Sequence, residues 1–148
     1  MSQELAFRPY TIADQRACLI IFDANCPEYF APNERADYLA FLDTCPVGYE
    51  LCEVAGKVMG AFGIFDRGEE AKDLNWILLD PSSQGRGIGS AIMTRVSSLV
   101  LAADRHLVHI AASHKSAPFF AKFGAEVISV TDHGWGPGMH RHDMELHL

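Results

Sequence analysis

The chain has 148 residues, 49% hydrophobic and 21% charged, and its 19 acidic residues outnumber 12 Lys and Arg to give a formal net charge of -7. That length suffices for one domain with its own core, needing neither disulfides nor metal, and the composition excludes a disordered chain. The acidic balance weighs against nucleic-acid binding, which requires cancelling phosphate charge, while no apolar run approaches the ~20 residues of a membrane-spanning helix.

In chain order, Met1-Ser2-Gln3-Glu4 lacks the basic region and apolar stretch of a secretion signal, so a cytoplasmic protein is expected. No repeat, low-complexity segment or linker divides the sequence, and residues 1–148 read as one domain. Cys18, Cys26, Cys45 and Cys52 form no C-x-x-C pair and read as reduced thiols serving as small apolar residues. Phe7 to Tyr10 is a first strand. Thr11-Ile12-Ala13-Asp14 has the spacing of a helix cap, opening a packed helix to about Asn25. Asn33 can cap a second short helix carrying Tyr38, Phe41 and Leu42.

Tyr49 to Val54 and Val58 to Phe65, joined by Ala55-Gly56-Lys57, give a hairpin signal, with the acidic stretch Asp66 to Asp73 as the next turn. Leu74 to Leu79 is apolar enough for a central strand covered on both faces. From about Gly87, apolar residues from Ile88 to Ala103 recur every three or four positions, the clearest amphipathic helix in the chain. Leu107 to Ala112 reads as a strand, Ser116 to Phe123 as a short helix stopped by Gly124, and Ala125 to Val130 as a strand. Met144, Leu146 and Leu148 alternate with polar residues in a half-exposed final strand. The order predicts an α/β fold with a mixed sheet and helices on both faces.

The richest chemistry lies in Asp80-Pro81-Ser82-Ser83-Gln84-Gly85-Arg86-Gly87-Ile88-Gly89-Ser90. Pro81 ends a buried strand, and a glycine-rich turn opens the amphipathic helix. Gly85, Gly87 and Gly89 remove side chains where the backbone must turn and let a phosphate approach; the helix N–H groups and dipole favour that anion, and Arg86 adds positive charge. No G-K-[ST] follows the glycines, which excludes the P-loop reading. A dinucleotide fold would need an acidic residue about 20 positions on, where His106 to Ile110 stands instead.

The loop resembles the signature of the GNAT acetyltransferases, Gln/Arg-x-x-Gly-x-Gly/Ala, which Gln84-Gly85-Arg86-Gly87-Ile88-Gly89 matches in full. A second family pattern, Asn-x-x-Ala-x-x-Phe-Tyr-x-Lys-x-Gly-Phe, is similar to Ser113-His114-Lys115-Ser116-Ala117-Pro118-Phe119-Phe120-Ala121-Lys122-Phe123-Gly124-Ala125. The resemblance covers nearly the whole chain and implies a mainly antiparallel sheet of about 6–7 strands. It implies acetyl-CoA as acyl donor, with Ile77 and Leu79 along pantetheine and Gln84, Gly85, Arg86, Gly87, Ile88, Gly89 and Ser90 at the pyrophosphate. Ser116, Phe119, Phe120 and Lys122 would flank the rest of the cofactor. It further implies that the strand ending at Leu79 splays from the next, that a small-molecule or peptide amine attacks the thioester directly, and that a homodimer is common.

Two positions depart from the family. Phe120 stands where a Tyr often protonates the departing thiolate. Asp73, Asn75 and Trp76 occupy the stretch that often supplies a Glu base. His114 and His133 are the substitute acid-base candidates, because imidazole titrates near neutrality; solvent is the alternative. Trp76 and Trp135 are candidates either for an acceptor pocket or for the core. His133, His140, His142 and His147 do not reproduce a known metal spacing, and no metal site is expected. A non-catalytic acyl-CoA-binding or sensing module is the competing function; a metal-binding or interaction domain is a further one.

Overall fold

The computed structural model describes residues 5–83 and 85–148. β1 (Leu5–Pro9) is followed by a 3-10 turn at Ile12–Asp14, α1 (Gln15–Ala24) and α2 (Glu34–Asp43). Three strands come next, β2 (Tyr49–Val54), β3 (Lys57–Arg67) and β4 (Ala71–Leu79). Then α3 (Ile88–Ala102), β5 (Leu107–Ser113), α4 (Ala117–Ala121), β6 (Glu126–Gly136) and β7 (Met139–His147) complete the order expected from sequence. The strands form one seven-stranded sheet in the order β1-β2-β3-β4-β5-β7-β6. Only β4 and β5 pair in parallel, because α3 carries the chain across the sheet between them. Among the described residues no helix is long and apolar enough to cross a membrane.

Helices cover both faces, and neighbouring residues of β2 serve different ones. Leu51 packs into the cluster with Ile21, Phe22 and Leu42 from α1 and α2; Cys52 packs into the other, with Ile92, Val96 and Phe120 from α3 and α4. Cys18 and Cys52 are buried apolar residues, and burial pushes both thiols up to about 11. Cys45, by contrast, is exposed.

Several boundaries differ from the sequence reading, each for a tertiary reason. The stretch Asp66 to Asp73 is not all turn: Asp66 pairs with Lys72 and Arg67 with Ala71, so the strands extend until only residues 68–70 are left. Ion pairs of Lys72 with Asp66 and Arg67 with Asp73 neutralise the charges that made the stretch look like a loop. His133 lies in β6 rather than in a loop; the ladder with β7 is interrupted at this point, and its N–H donates instead to the His140 ring on β7. Asn33 occupies the N-cap position of α2 without capping it; its Nδ2 donates instead to the Trp135 carbonyl, 2.9 Å away. The final helix is only Ala117–Ala121.

The first helical cap forms as read. Asp14 accepts from the Thr11 N–H at 2.9 Å and holds Arg8 through two bonds of 2.8 and 2.7 Å. Arg8 also donates to Glu53 on β2.

Strand β4 carries the distortion on which the site depends. Its pairing with β3 shifts register between Ala61 and Gly63, and Trp76 sits at φ +49° in the left-handed region. The Tyr49 hydroxyl donates to the Trp76 carbonyl at 2.7 Å. Since that hydrogen is committed, the Tyr38 hydroxyl must be the donor in its 2.8 Å contact with Tyr49. Beyond Leu74, β4 parts from β5: the parallel ladder runs only from Ala71 opposite Leu107 to Leu74 opposite Ile110. β4 continues along β3 while β5 continues along β7 to Ser113.

Two outcomes follow. Tyr49→Phe leaves the buried Tyr38 hydroxyl without its acceptor and the Trp76 carbonyl without its donor. Urea unfolding should show a loss of about 1–3 kcal/mol with an unchanged m-value. Arg8, followed by the Thr11 bonds, holds the Asp14 carboxyl at about 2, against the upward push of burial. Its folded value lies below the unfolded one of about 3.9, so this contribution is full above pH ~4 and is lost as pH falls toward 2. With Arg8 partly exposed, Asp14→Asn should cost about 1 kcal/mol at pH 7 in the same assay, a gap that narrows in acid.

Candidate active site

Where β4 and β5 part, a cleft of about 1280 Å³ opens across the sheet. Ile77 and Leu79 line one wall, and Ala111, Ala112 and Ser113 of β5 line the other. One end is formed by the turn before α3 and by α4; the opposite end reaches the segment between α1 and α2 and Trp135 of β6.

The α3 end is built by short-range bonds. Asp80 Oδ1 accepts from the Ser82 N–H at 2.8 Å and from its hydroxyl at 2.7 Å, folding Pro81–Ser83 into a 3-10 turn. Burial pushes the Asp80 carboxyl up, but the Ser82 bonds, with Lys57 and Arg86 nearby, leave it below its ordinary value. Gly85 and Gly87 follow at φ +75° and +74°, and a Cβ on either would meet open space. Glycine is therefore required there by conformation, and the emptied volume belongs to the cleft. Gly89 differs: a Cβ would stand 2.7 Å from the Phe119 ring, so its task is the close packing of α3 against α4. The N-cap residue Gly87 has no side chain to cap α3, and the first-turn residues Ile88, Gly89 and Ser90 line this end of the cleft.

Of the residues that the sequence assigned to the donor, Ile77, Leu79, Gly85, Gly87, Ile88, Gly89, Ser90, Ser116, Phe119, Phe120 and Lys122 all line the cleft. Arg86 is exposed and is not among the lining residues, and Gln84 lies outside the described residues. Ser116 is fixed by reciprocal bonds with Ser113, whose N–H donates to Ser116 Oγ at 3.0 Å while the Ser116 N–H donates to Ser113 Oγ at 3.1 Å. Phe120 is buried and brings no hydroxyl.

The histidines gather elsewhere. The His140 N–H donates to His114 Nδ1 (3.2 Å), the His133 N–H to His140 Nδ1 (3.0 Å), and the Gly138 N–H to His133 Nδ1 (2.8 Å). A backbone N–H only donates, so each Nδ1 spends its lone pair on the backbone and each neutral ring carries its proton on Nε2. Burial, then the neighbouring His140, Lys115 and His142, lowers the His114 imidazole. Neither His114 nor His133 lines the cleft. Among the described residues no group of three or more His, Cys, Asp or Glu is arranged to hold a metal.

Asp73 is also committed, to His109 Nδ1 at 2.9 Å and Arg67 at 3.2 Å. His109 Nε2 in turn faces Asp143 at 3.1 Å, and Arg141 forks onto Asp143 while its guanidinium lies 4.9 Å above the Trp135 ring. Trp135 Nε1 donates to the Ala112 carbonyl at 2.8 Å, fixing the indole at the cleft wall. Trp76 lines the cleft too, but packs into the aromatic cluster with Phe30, Tyr38 and Phe41.

One lining residue escaped the sequence reading. Glu34, in the first turn of α2, is 5% exposed, and its Oε2 accepts the Ala31 N–H at 2.8 Å. Burial pushes its carboxyl up to about 7, with Asp37 adding to the shift. An acidic residue at a helix start looks like ordinary capping, and nothing local marks it as buried.

The family model of the acetyltransferase (GNAT) domain matches residues 47–124, which span β2 to the end of α4. No curated protein matches the chain. Among solved structures it is similar to Ard1 from Thermoplasma volcanium, with TM-score 0.82, 18% identity and coverage of 97% of each chain. It is also similar to yncA from Salmonella typhimurium, whose structure holds its cofactor acetyl-CoA (TM-score 0.72, 16% identity, 98% of this chain and 94% of that one). An aminoglycoside 6'-N-acetyltransferase complexed with coenzyme A gives TM-score 0.74 at 10% identity, covering 96% of each chain. At these identities the structures speak for the fold; the match over more than half of the sequence makes the chain a member of the GNAT acetyltransferase family.

Proposed function

We propose that residues 1–148 act as one domain that transfers the acetyl group of acetyl-CoA to a primary amine, by direct attack of the amine on the thioester. The observation that carries this reading is the meeting of two backbone elements in one cleft: the edge of β4 that β5 abandons, and the N-terminus of α3 opened by Gly87. Pantetheine is an extended chain with two amides, and a strand edge offers it N–H and C=O partners in register. The Leu79 carbonyl is already taken by Asn25 Nδ2 at 2.8 Å, so this pairing centres on Asn75 to Leu78. The pyrophosphate meets the first turn of α3 at Gly87, Ile88 and Gly89, with Arg86 and Lys122 supplying positive charge. Two proteins of similar fold, yncA with acetyl-CoA and the aminoglycoside enzyme with coenzyme A, support a donor of this class.

Such a site accelerates transfer by holding amine and thioester together and by directing backbone N–H groups at the carbonyl oxygen as charge develops on it. Phe120 cannot protonate the leaving group, so the thiolate departs as the anion or takes a proton released by the amine. That same Phe120 favours one other reading, in which the cleft binds acyl-CoA without transferring the acyl group.

Acetyl-CoA at 100 times its Kd should stabilise the protein by about 2.7 kcal/mol, raising Tm by several degrees. Absence of a shift with any acyl-CoA overturns the donor assignment. Free-thiol detection across a panel of amines then separates transfer from binding alone. Gly87→Glu places a carboxylate at the phosphate position and a side chain at a left-handed φ; it should cost about 1 kcal/mol of stability and abolish the acetyl-CoA shift.

A further inference from the structure

The end of the cleft remote from α3 is closed by contacts that bring Glu34 to a defined place. Tyr38, one helical turn after Glu34, lies with its ring 4.8 Å from Trp76, so this face of α2 sits over the distorted part of β4. Just before Glu34, the Asn33 Nδ2 bond to the Trp135 carbonyl ties the start of α2 to β6. Gly136 packs there so tightly that a Cβ would come within 2.2 Å of Asn33 Oδ1. Glu34 therefore lies on the part of α2 that these two contacts anchor, and it lines the cleft together with Trp76 and Trp135. Its Oε2 is held by Ala31, and no cation among the described residues pairs with it.

We propose that Glu34 is the base of the reaction, taking a proton from an acceptor that arrives as a primary ammonium. The proposal rests on the amine-acetylation reading above. Other titratable groups in the region are spent: Asp73 on Arg67 and His109, and the histidine Nδ1 atoms on backbone N–H groups. Asn75 lines the cleft but cannot take a proton at neutral pH. Tyr29, which lines the cleft together with Glu34, offers an aromatic ring of the kind that suits a cation. The charged group that acts on Glu34 is Asp37 on its own helix; Glu28 on the preceding segment also lines the cleft, and Lys115 and Lys122 line it from the α4 side.

In the step, the Glu34 carboxylate accepts one proton from R–NH3+ and frees the nitrogen pair. Nitrogen bonds to the thioester carbonyl carbon, the C–S bond breaks, and its electron pair leaves on sulfur. The second nitrogen proton passes to the thiolate, giving the amide and free coenzyme A thiol, and Glu34 returns its proton to solvent. Burial raises the Glu34 carboxyl to about 7, which suits a base working near neutrality.

The test compares wild type with Glu34→Gln and Glu34→Asp. Glutamine keeps an acceptor oxygen for the Ala31 N–H, and acetyl-CoA thermal shifts verify the fold and the donor site. Wild-type kcat/KM should rise with pH through an inflection near 7. Glu34→Gln should lose about 100-fold and the inflection, with its acetyl-CoA shift unchanged, and Glu34→Asp should recover part of the rate. A second readout needs no turnover. The folded carboxyl binds its proton more tightly than the unfolded one, so wild-type stability should fall as pH rises from about 4.5 to 7, and Glu34→Gln should remove that slope. Glu34→Gln activity within fivefold of wild type, the same inflection in the variant, or no wild-type slope overturns the base assignment. A normal acetyl-CoA shift with no turnover of any amine overturns the amine reading and the base with it; loss of the shift itself in wild type overturns the donor reading.

Discussion

The donated bond from Tyr49 to the Trp76 carbonyl is the constraint from which the cleft derives. A strand flanked by two others satisfies its backbone groups on both sides; to free one edge inside a sheet, the chain must twist and hold the twist. The left-handed Trp76 supplies that twist at some conformational cost, and the buried Tyr38–Tyr49 pair gives the displaced carbonyl a donor within the core. Around this point α2 packs through Tyr38 and Phe41, β2 contributes Tyr49, and β4 turns away from β5. The empty edge is therefore a product of aromatic packing on the opposite side of the strand from the glycine-rich turn.

The parts legible in the sequence are those whose physics is local. Pro81, the glycines and the apolar repeat of α3 act within a few residues of one another, so the turn and the helix it opens could be read directly. The order of elements could be read for the same reason. Wherever the deciding partner is distant, the reading fell short. The acidic stretch after Phe65 looked like a loop because its neutralising Lys72 and Arg67 act across strands. His133 looked like a loop residue because β7 lies beyond the turn. Glu34 gave no sign at all, since the residues that share its cleft, Trp76 and Trp135 among them, are 42 and 101 positions away in the chain. Histidine spacing was equally uninformative about which ring nitrogen would be engaged.

Charge across the sheet is arranged as a row. Arg67, Asp73, His109, Asp143 and Arg141 alternate in sign or hydrogen-bonding role from β3 to β7, ending over the Trp135 ring. This row holds a buried imidazole between two carboxylates and removes both from service in the cleft. It also sets the tilt of Trp135 from behind, while Ala112 fixes its indole N–H from the side. This end of the cleft is thus shaped by residues that do not line it.

The stitch from Asn33 to Trp135 joins positions 102 residues apart. Contacts of such separation close the largest loops and are gained late as a chain organises. Near this stitch the ladder between β6 and β7 is interrupted between Thr131 and Gly136. At this interruption the backbone of β6 is released from the regular ladder, and the wall is held there by single bonds, Asn33 Nδ2 to the Trp135 carbonyl and Trp135 Nε1 to the Ala112 carbonyl. A change at any one of these few bonds would therefore alter the shape of this end of the cleft without touching the ladder of the other strands.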